Sequence, residues 1–419
     1  MKPLLSFSFL FLQIAPFLTG HNLSYAGGPL FIGGPDDNTP IIYQTSNITL
    51  NVENGDLGSL TNAAAVTLLQ DAFGLWNNVS TATIDLSIDQ TQIALDINET
   101  NFDTYIPTID GTDLNDNDNL NPVVFDSDGK IIEAIFGVGQ TGLLGLAGSF
   151  INDETGNFIE GFILINGTNG GTNTEITLTL AHEVAHFIGL DHTQVDINNE
   201  ESFSGLPFSC LTTEADNYPL MYPISCRLSN SLHVDDISAV SALYPATDLS
   251  DSFGILEGTF VDESGEAILG ANIWAENTGS GETISVISDY LKQGTGFYKL
   301  LLPAGNYTLH ANSINSEFTA GSSVGPYATD NTDISFSDPH PITEITYFGS
   351  DEPNDEVLTI TTNETFEINF SNTGALVKST KSNDAEEDDS IADLFGSLSH
   401  LTLILLTLST LLLRRARRL

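Results

Sequence analysis

Residues 181–192 read AHEVAHFIGLDH. The stretch holds three of the eight histidines of a 419-residue chain, with one glutamate and one glycine among them. On a helix, His182 and His186 fall on one face, one turn apart, close enough to share a metal ion. Glu183 follows the first of them. It points off the metal axis but can reach a water at an open coordination position, where it would act as general base and pass the proton to a leaving amine. Gly189 ends the helix in a left-handed conformation at no steric cost. The chain can then return His192 as a third ligand. Three nitrogens leave a fourth position for water, which distinguishes a catalytic zinc site from a structural one. HExxHxxGxxH fixes five positions and is far more specific than HExxH alone. The competing reading is a helix with solvated histidines.

Outward from the motif, EITLTLAHEVAHFIGL (175–190) reads as the site helix, preceded by the loop NGTNGG (166–171) and the strand GNFIEGFILIN (156–166). HVDDISAVSALYP (233–245) reads as a helix started by acidic residues and stopped by proline. Upstream, 40–52 and 82–88 read as strands. The segment 62–79 reads as an amphipathic helix, with Ala64, Leu68, Ala72 and Leu75 near helical spacing and Trp76 close by. The Asp- and Asn-rich stretch 109–132 ends in a short strand and a turn at Asp128-Gly129, and the Gly/Pro-rich 27–39 is expected to be loose. This is an α+β domain over 27–248. After Asp251 the pattern becomes short alternating strands joined by Gly and Pro turns, an immunoglobulin-like β-sandwich over 252–375 without a cluster of catalytic residue types.

HEVAHFIGLDH resembles the zinc signature of the metzincin metallopeptidases. PLMYP (219–223) is similar to their Met-turn, and LHVDDISAVSALYP (232–245) to the closing helix of the matrixin branch. Thr193 occupies a position that is usually serine in matrixins. The resemblance covers about residues 38–246 and implies zinc ligation by His182, His186 and His192, catalysis by Glu183, and a Met-turn at Met221. It also implies a twisted mixed sheet over the active-site helix, with a peptide substrate added along a sheet edge, here LGLAG (144–148). Three departures stand out. The position four residues after Met221 is Ser225, where many matrixins have an aromatic residue shaping the specificity pocket. Cys210 and Cys226 bracket the Met-turn, outside the usual matrixin pattern. No cysteine precedes Cys210, so a cysteine-switch zymogen is excluded. The resemblance further implies structural Ca2+. Asp110, Asp113, Asp116, Asp118, Asp126 and Asp128 offer carboxylates for it, although an acidic turn explains them equally well. The second domain resembles carboxypeptidase regulatory-like sandwiches through GTFVDESGEAILGANIWAEN and YKLLLPAGNYTLHA.

Charge narrows the partners. There are 11 Lys and Arg against 56 Asp and Glu, for a net charge of −45, and four of the arginines cluster at 414–418. A nucleic-acid partner is excluded because no basic footprint exists. The acidic surface favours solubility and attracts cations. Residues 1–26 read as a secretory signal peptide with small residues before a cut after Ala26, against the alternative of a membrane anchor. Residues 376–393 form an acidic linker. Residues 394–413 match a bilayer-spanning length, and the arginines that follow stay inside. This tail resembles bacterial C-terminal sorting signals, with a permanent anchor as the alternative. Export favours a single Cys210–Cys226 disulfide over two thiols. The expected function is a secreted or surface-displayed zinc metalloendopeptidase acting on protein or peptide. The alternative is a surface adhesin or structural protein with a non-proteolytic zinc domain.

Overall fold

Five strands, β1 (Asn47–Val52), β2 (Asp85–Asp89), β3 (Pro122–Asp126), β4 (Gly145–Asn152) and β5 (Asn157–Asn166), form one sheet in the order β2-β1-β3-β5-β4. Three pairings are parallel; β4 runs antiparallel to β5 and forms the sheet edge. Successive side chains of a strand face opposite sides, and parallel strands are normally covered on both. Accordingly Val123 and Phe125 of β3, with Ile163 and Ile165 of β5, enter one core, while Val124, Phe162 and Leu164 enter another. Helices α1 (Asn62–Asn77) and α3 (Asn173–Phe187) pack into the first core. The short α2 (Lys130–Phe136) seals the second with Ile131 and Ile132. Helix α4 (Val234–Leu243) closes this half, and the one-turn α5 (Leu249–Ser252) leads out of it.

The computed structural model describes residues 28–33, 38–106, 119–137, 142–152, 155–195, 210, 212–314, 318, 324–327, 342, 344–349 and 356–377. The expected signal peptide, Asp110, Asp113, Asp116 and Asp118, nearly all of the expected acidic linker and the C-terminal apolar segment lie outside the described residues. Among the described residues no helix is long and apolar enough to cross a membrane.

Several expectations shift. The described part of the segment expected to be loose is tied down: Leu30 N–H donates to the Gly189 carbonyl, Pro29 bridges Leu190, and Ile32 bridges Pro40. Its extended backbone finds partners at the end of the site helix. The strand expected over 40–52 begins at Asn47. The buried face of α1 is centred on Ala65, Leu69, Ala72 and Trp76, leaving Ala64 and Leu75 half-buried. Helix α2, which follows the Asp128-Gly129 turn, was not expected from the sequence. Asp126 accepts the N–H groups of Ile131 and Ile132 and so satisfies its otherwise unpaired first turn.

The second half is a pair of small sheets. One contains β7 (Ala271–Asn277), β8 (Thr283–Ile287), β10 (Gly305–Ser313), β11 (Ile345–Thr346) and β12 (Leu358–Ile360). The other is built on β6 (Phe253–Val261), flanked by β9 (Phe297–Pro303), β13 (Thr365–Glu367) and β14 (Phe370–Ser371). Leu256, Phe260 and Leu300 of one sheet meet Ile273, Ala275 and Leu309 of the other in a shared core. The architecture is therefore α+β followed by a β-sandwich. The two halves are not strung apart. Helix α4 packs on β8 and β9, the Ser238 hydroxyl donates to the Leu301 carbonyl, and one continuous apolar core runs through both.

Candidate metal centre

Helix α3 starts with a capping box. The Thr172 hydroxyl accepts from Glu175 N–H, and the Glu175 carboxylate accepts from Thr172 N–H. The helix is held along its length as well. Trp76 Nε1 donates to the Ala181 carbonyl at 2.9 Å, and the Ser149 hydroxyl donates to the Phe187 carbonyl at 2.7 Å. At its end Gly189 has φ of +98°. Its N–H donates to His186 O and the Leu190 N–H to Ala185 O, closing the last turn. A Cβ at Gly189 would lie 2.9 Å from Phe158 Cε2, so the position needs glycine on both conformational and packing grounds. The Tyr244 hydroxyl, just beyond α4, donates to Ile188 O at 2.8 Å and fixes the same turn.

These restraints bring three imidazoles to one point. The Nε2 atoms of His182, His186 and His192 lie 3.1–3.2 Å apart. The Nδ1 atoms of His182 and His186 face the carbonyls of Leu220 at 2.7 Å and Leu190 at 2.9 Å. A carbonyl can only accept, so each Nδ1 carries the proton and each Nε2 presents a lone pair. Lone pairs converging at this distance repel unless a cation lies between them. A tetrahedral zinc with bonds of about 2.0–2.1 Å separates its ligand atoms by roughly 3.3 Å. The donor chemistry and spacing therefore fit such an ion. Burial pushes the His182 imidazole down, and burial together with His182 takes His186 down to about 3, which keeps these two imidazoles neutral. Among the described residues this trio is the group of His, Cys, Asp or Glu side chains placed to hold a metal.

Glu183 is buried, and desolvation raises its carboxyl to about 8. It lies against the edge strand: a Cβ at Gly145 would fall 2.7 Å from Glu183 Oε1. Gly145 is thus required by close approach, and it opens β4, the edge expected at LGLAG. The histidines and Glu183 line one cleft of about 580 Å³, together with Leu146, Ser225 and Cys226. Ser225 takes the wall position where an aromatic residue would narrow the space. Cys210 and Cys226 are bonded to each other, with Cα atoms 5.3 Å apart.

Met221 is buried, and the turn it sits in touches two ligand segments. Leu220 O meets His182 as described, and Met221 O accepts from Thr193 N–H at 2.9 Å. The residue that organises this turn escaped the sequence reading. Asp236 of α4 accepts the N–H groups of Leu220 at 2.8 Å, Met221 at 3.0 Å and His233 at 2.8 Å. Its only local signal is its place in the first turn of a helix, where an acidic residue reads simply as a cap. Of the calcium candidates, Asp126 caps α2 and Asp128 pairs with Lys130.

No protein-family model matches the chain, and no curated protein matches it. Among solved structures, the major pilin subunit BcpA of Bacillus cereus matches at 17% identity over 29% of each chain, with a TM-score of 0.17. The chain spans under a third of that structure, and a likeness of this size carries no argument.

Proposed function

We propose that the chain is an exported, surface-displayed or released zinc metalloendopeptidase of the matrixin-like branch of the metzincins. The observation that carries the reading is the convergence of three imidazole Nε2 atoms in an open cleft beside a buried carboxylate. The antiparallel edge strand bordering that cleft supports it, because an extended peptide can add to such an edge by backbone hydrogen bonds.

His182, His186 and His192 would hold the ion. When bound, zinc supplies Lewis acidity, polarising the scissile carbonyl and making water more acidic. The remaining work falls to the chain's own groups. β4 orients the peptide with its carbonyl toward the histidines. Glu183, on α3 against β4, takes a proton from the attacking water and returns it to the departing amine. Burial raises the proton affinity of Glu183 toward that of a useful base near neutral pH. The Cys210–Cys226 bond and Ser225 shape the space for the side chain following the cleaved bond.

The test uses the full exported chain and its Glu183→Ala variant. Both are expected to hold one zinc, and cleavage of a denatured protein is expected to fall by at least about 10³-fold in the variant. Equal cleavage by both proteins would refute the peptidase reading. Zinc binding without cleavage by the native chain would favour the non-proteolytic surface-protein alternative.

A further inference from the structure

The two ends of the ligand set are supported differently. His182 and His186 sit on α3, whose contacts with Trp76 and Ser149 are described above. His192 follows the helix on an irregular segment, and its neighbours reach into the sandwich. The Thr193 hydroxyl shares a 2.8 Å hydrogen bond with the Ser285 hydroxyl of β8. Gln194 Nε2 donates to Ser313 O of β10 at 3.3 Å. The Asp191 carboxylate accepts from Gly325 N–H in the loop beyond β10. Ser285 also donates its backbone N–H to Asp235 of α4 at 2.7 Å, beside the Asp236 that holds the Met-turn. Asp235, Thr193 and Ser285 are all about 1% exposed, so water does not compete for these bonds. The Met-turn is gripped from the same side: Tyr222 packs edge-on against Phe318, in a cluster with Ile287 and Val324.

We propose that the β-sandwich is the positioning element for the third metal ligand, with Ser285 and Thr193 as its principal positioning residues. The proposal rests on the zinc-site reading given above. His192 lies between Asp191 and Thr193, both anchored to the sandwich, so its imidazole is aimed by residues far away in sequence. The sandwich does not touch the metal. It restricts the segment that does, which lowers the conformational entropy lost when the ion binds.

The experiment measures zinc dissociation constants of the full exported chain by chelator competition, with circular dichroism as the check on folding. Thr193→Val and Ser285→Ala are each expected to weaken zinc by about 10-fold or more. Thr193→Ser keeps the hydroxyl and should remain within about twofold of native. Thr259→Val deletes a sandwich hydroxyl bonded to Asn369 at 2.8 Å. It should lower stability and leave zinc affinity unchanged. If Thr193→Val does not fold, Ser285→Ala and the milder Gln194→Met decide. Affinities within about twofold of native in the folded variants would overturn the proposal, as would an equal loss in Thr259→Val. The two readings fail separately. A native chain that binds zinc but cleaves nothing loses the peptidase assignment and keeps this one; a native chain that binds no zinc loses both.

Discussion

The first two histidines and the third answer to different parts of the molecule. His182 and His186 are spaced by the pitch of a helix, and that helix is capped, packed and anchored within the first half of the chain. His192 reaches the same point by a glycine turn and a segment whose side chains are held by a sheet beginning about eighty residues later. The contrast teaches that a short histidine motif combines a local and a non-local requirement. Helical pitch supplies the former almost unaided; tertiary packing must supply the latter.

The strongest way to break the comparison is to remove what both sides share. Asp236→Ala would leave the N–H groups of Leu220, Met221 and His233 without their carboxylate in a buried setting. We expect a loss of about 3–5 kcal/mol in urea unfolding, with zinc affinity reduced as well, because the turn contacts His182 through Leu220 and Thr193 through Met221. A stable variant with native zinc affinity would show that the turn does not organise the ligands. Gly189→Ala acts at the joint between the two sides. A side chain at φ of +98° that also meets Phe158 at 2.9 Å should cost about 2–4 kcal/mol, read from the shift in the urea midpoint. A change under about 0.5 kcal/mol would mean that the turn relaxes freely.

A smaller effect sharpens the comparison by confining itself to the first half. Glu53 is buried, and its carboxyl is raised from 4.5 to about 7, chiefly by desolvation, although Ile97 and Phe125 donate backbone N–H groups to it. The folded state therefore holds the proton more tightly than the unfolded chain. The stability it confers is fully present below about pH 4.5 and is lost as pH rises through 7. Glu53→Gln should flatten the decline in melting temperature over that window, a difference of about 2–3 kcal/mol, without altering zinc affinity at pH 7.5. An unchanged pH profile would remove Glu53 as its source.

The histidine motif was legible because the residues it brings together lie within twelve consecutive positions, although part of what holds the segment around His192 does not. The sheet edge at LGLAG was expected from the resemblance alone, since no local pattern says which strand lies outermost; β4 does occupy the edge. Helix α2 was not legible, because seven residues give too little periodicity to separate a helix from a turn, and its cap lies in the preceding strand. The docking of the two halves was not legible either. Ser285 sits among TISVI, a run that announces only a strand, and its partner Thr193 lies 92 positions away. Nothing local distinguishes a serine that meets solvent from one that meets another domain. The change from helical to alternating periodicity near residue 252 marks a change of architecture and says little about whether the interface there is thin or deep.

The hydrogen bond from Ser238 to Leu301, in the core common to both halves, bears on how such a chain can be recombined. Sandwich modules are often treated as beads that can be exchanged or trimmed. Here a cut at residue 248 would uncover the side of α4 that packs on β8 and β9 and strip polar partners from Asp235, Ser238 and Thr193. A transplant of the first half into another scaffold would carry over the motif intact yet leave behind part of the wall that gives it shape. The unit that can be moved without damage is the pair.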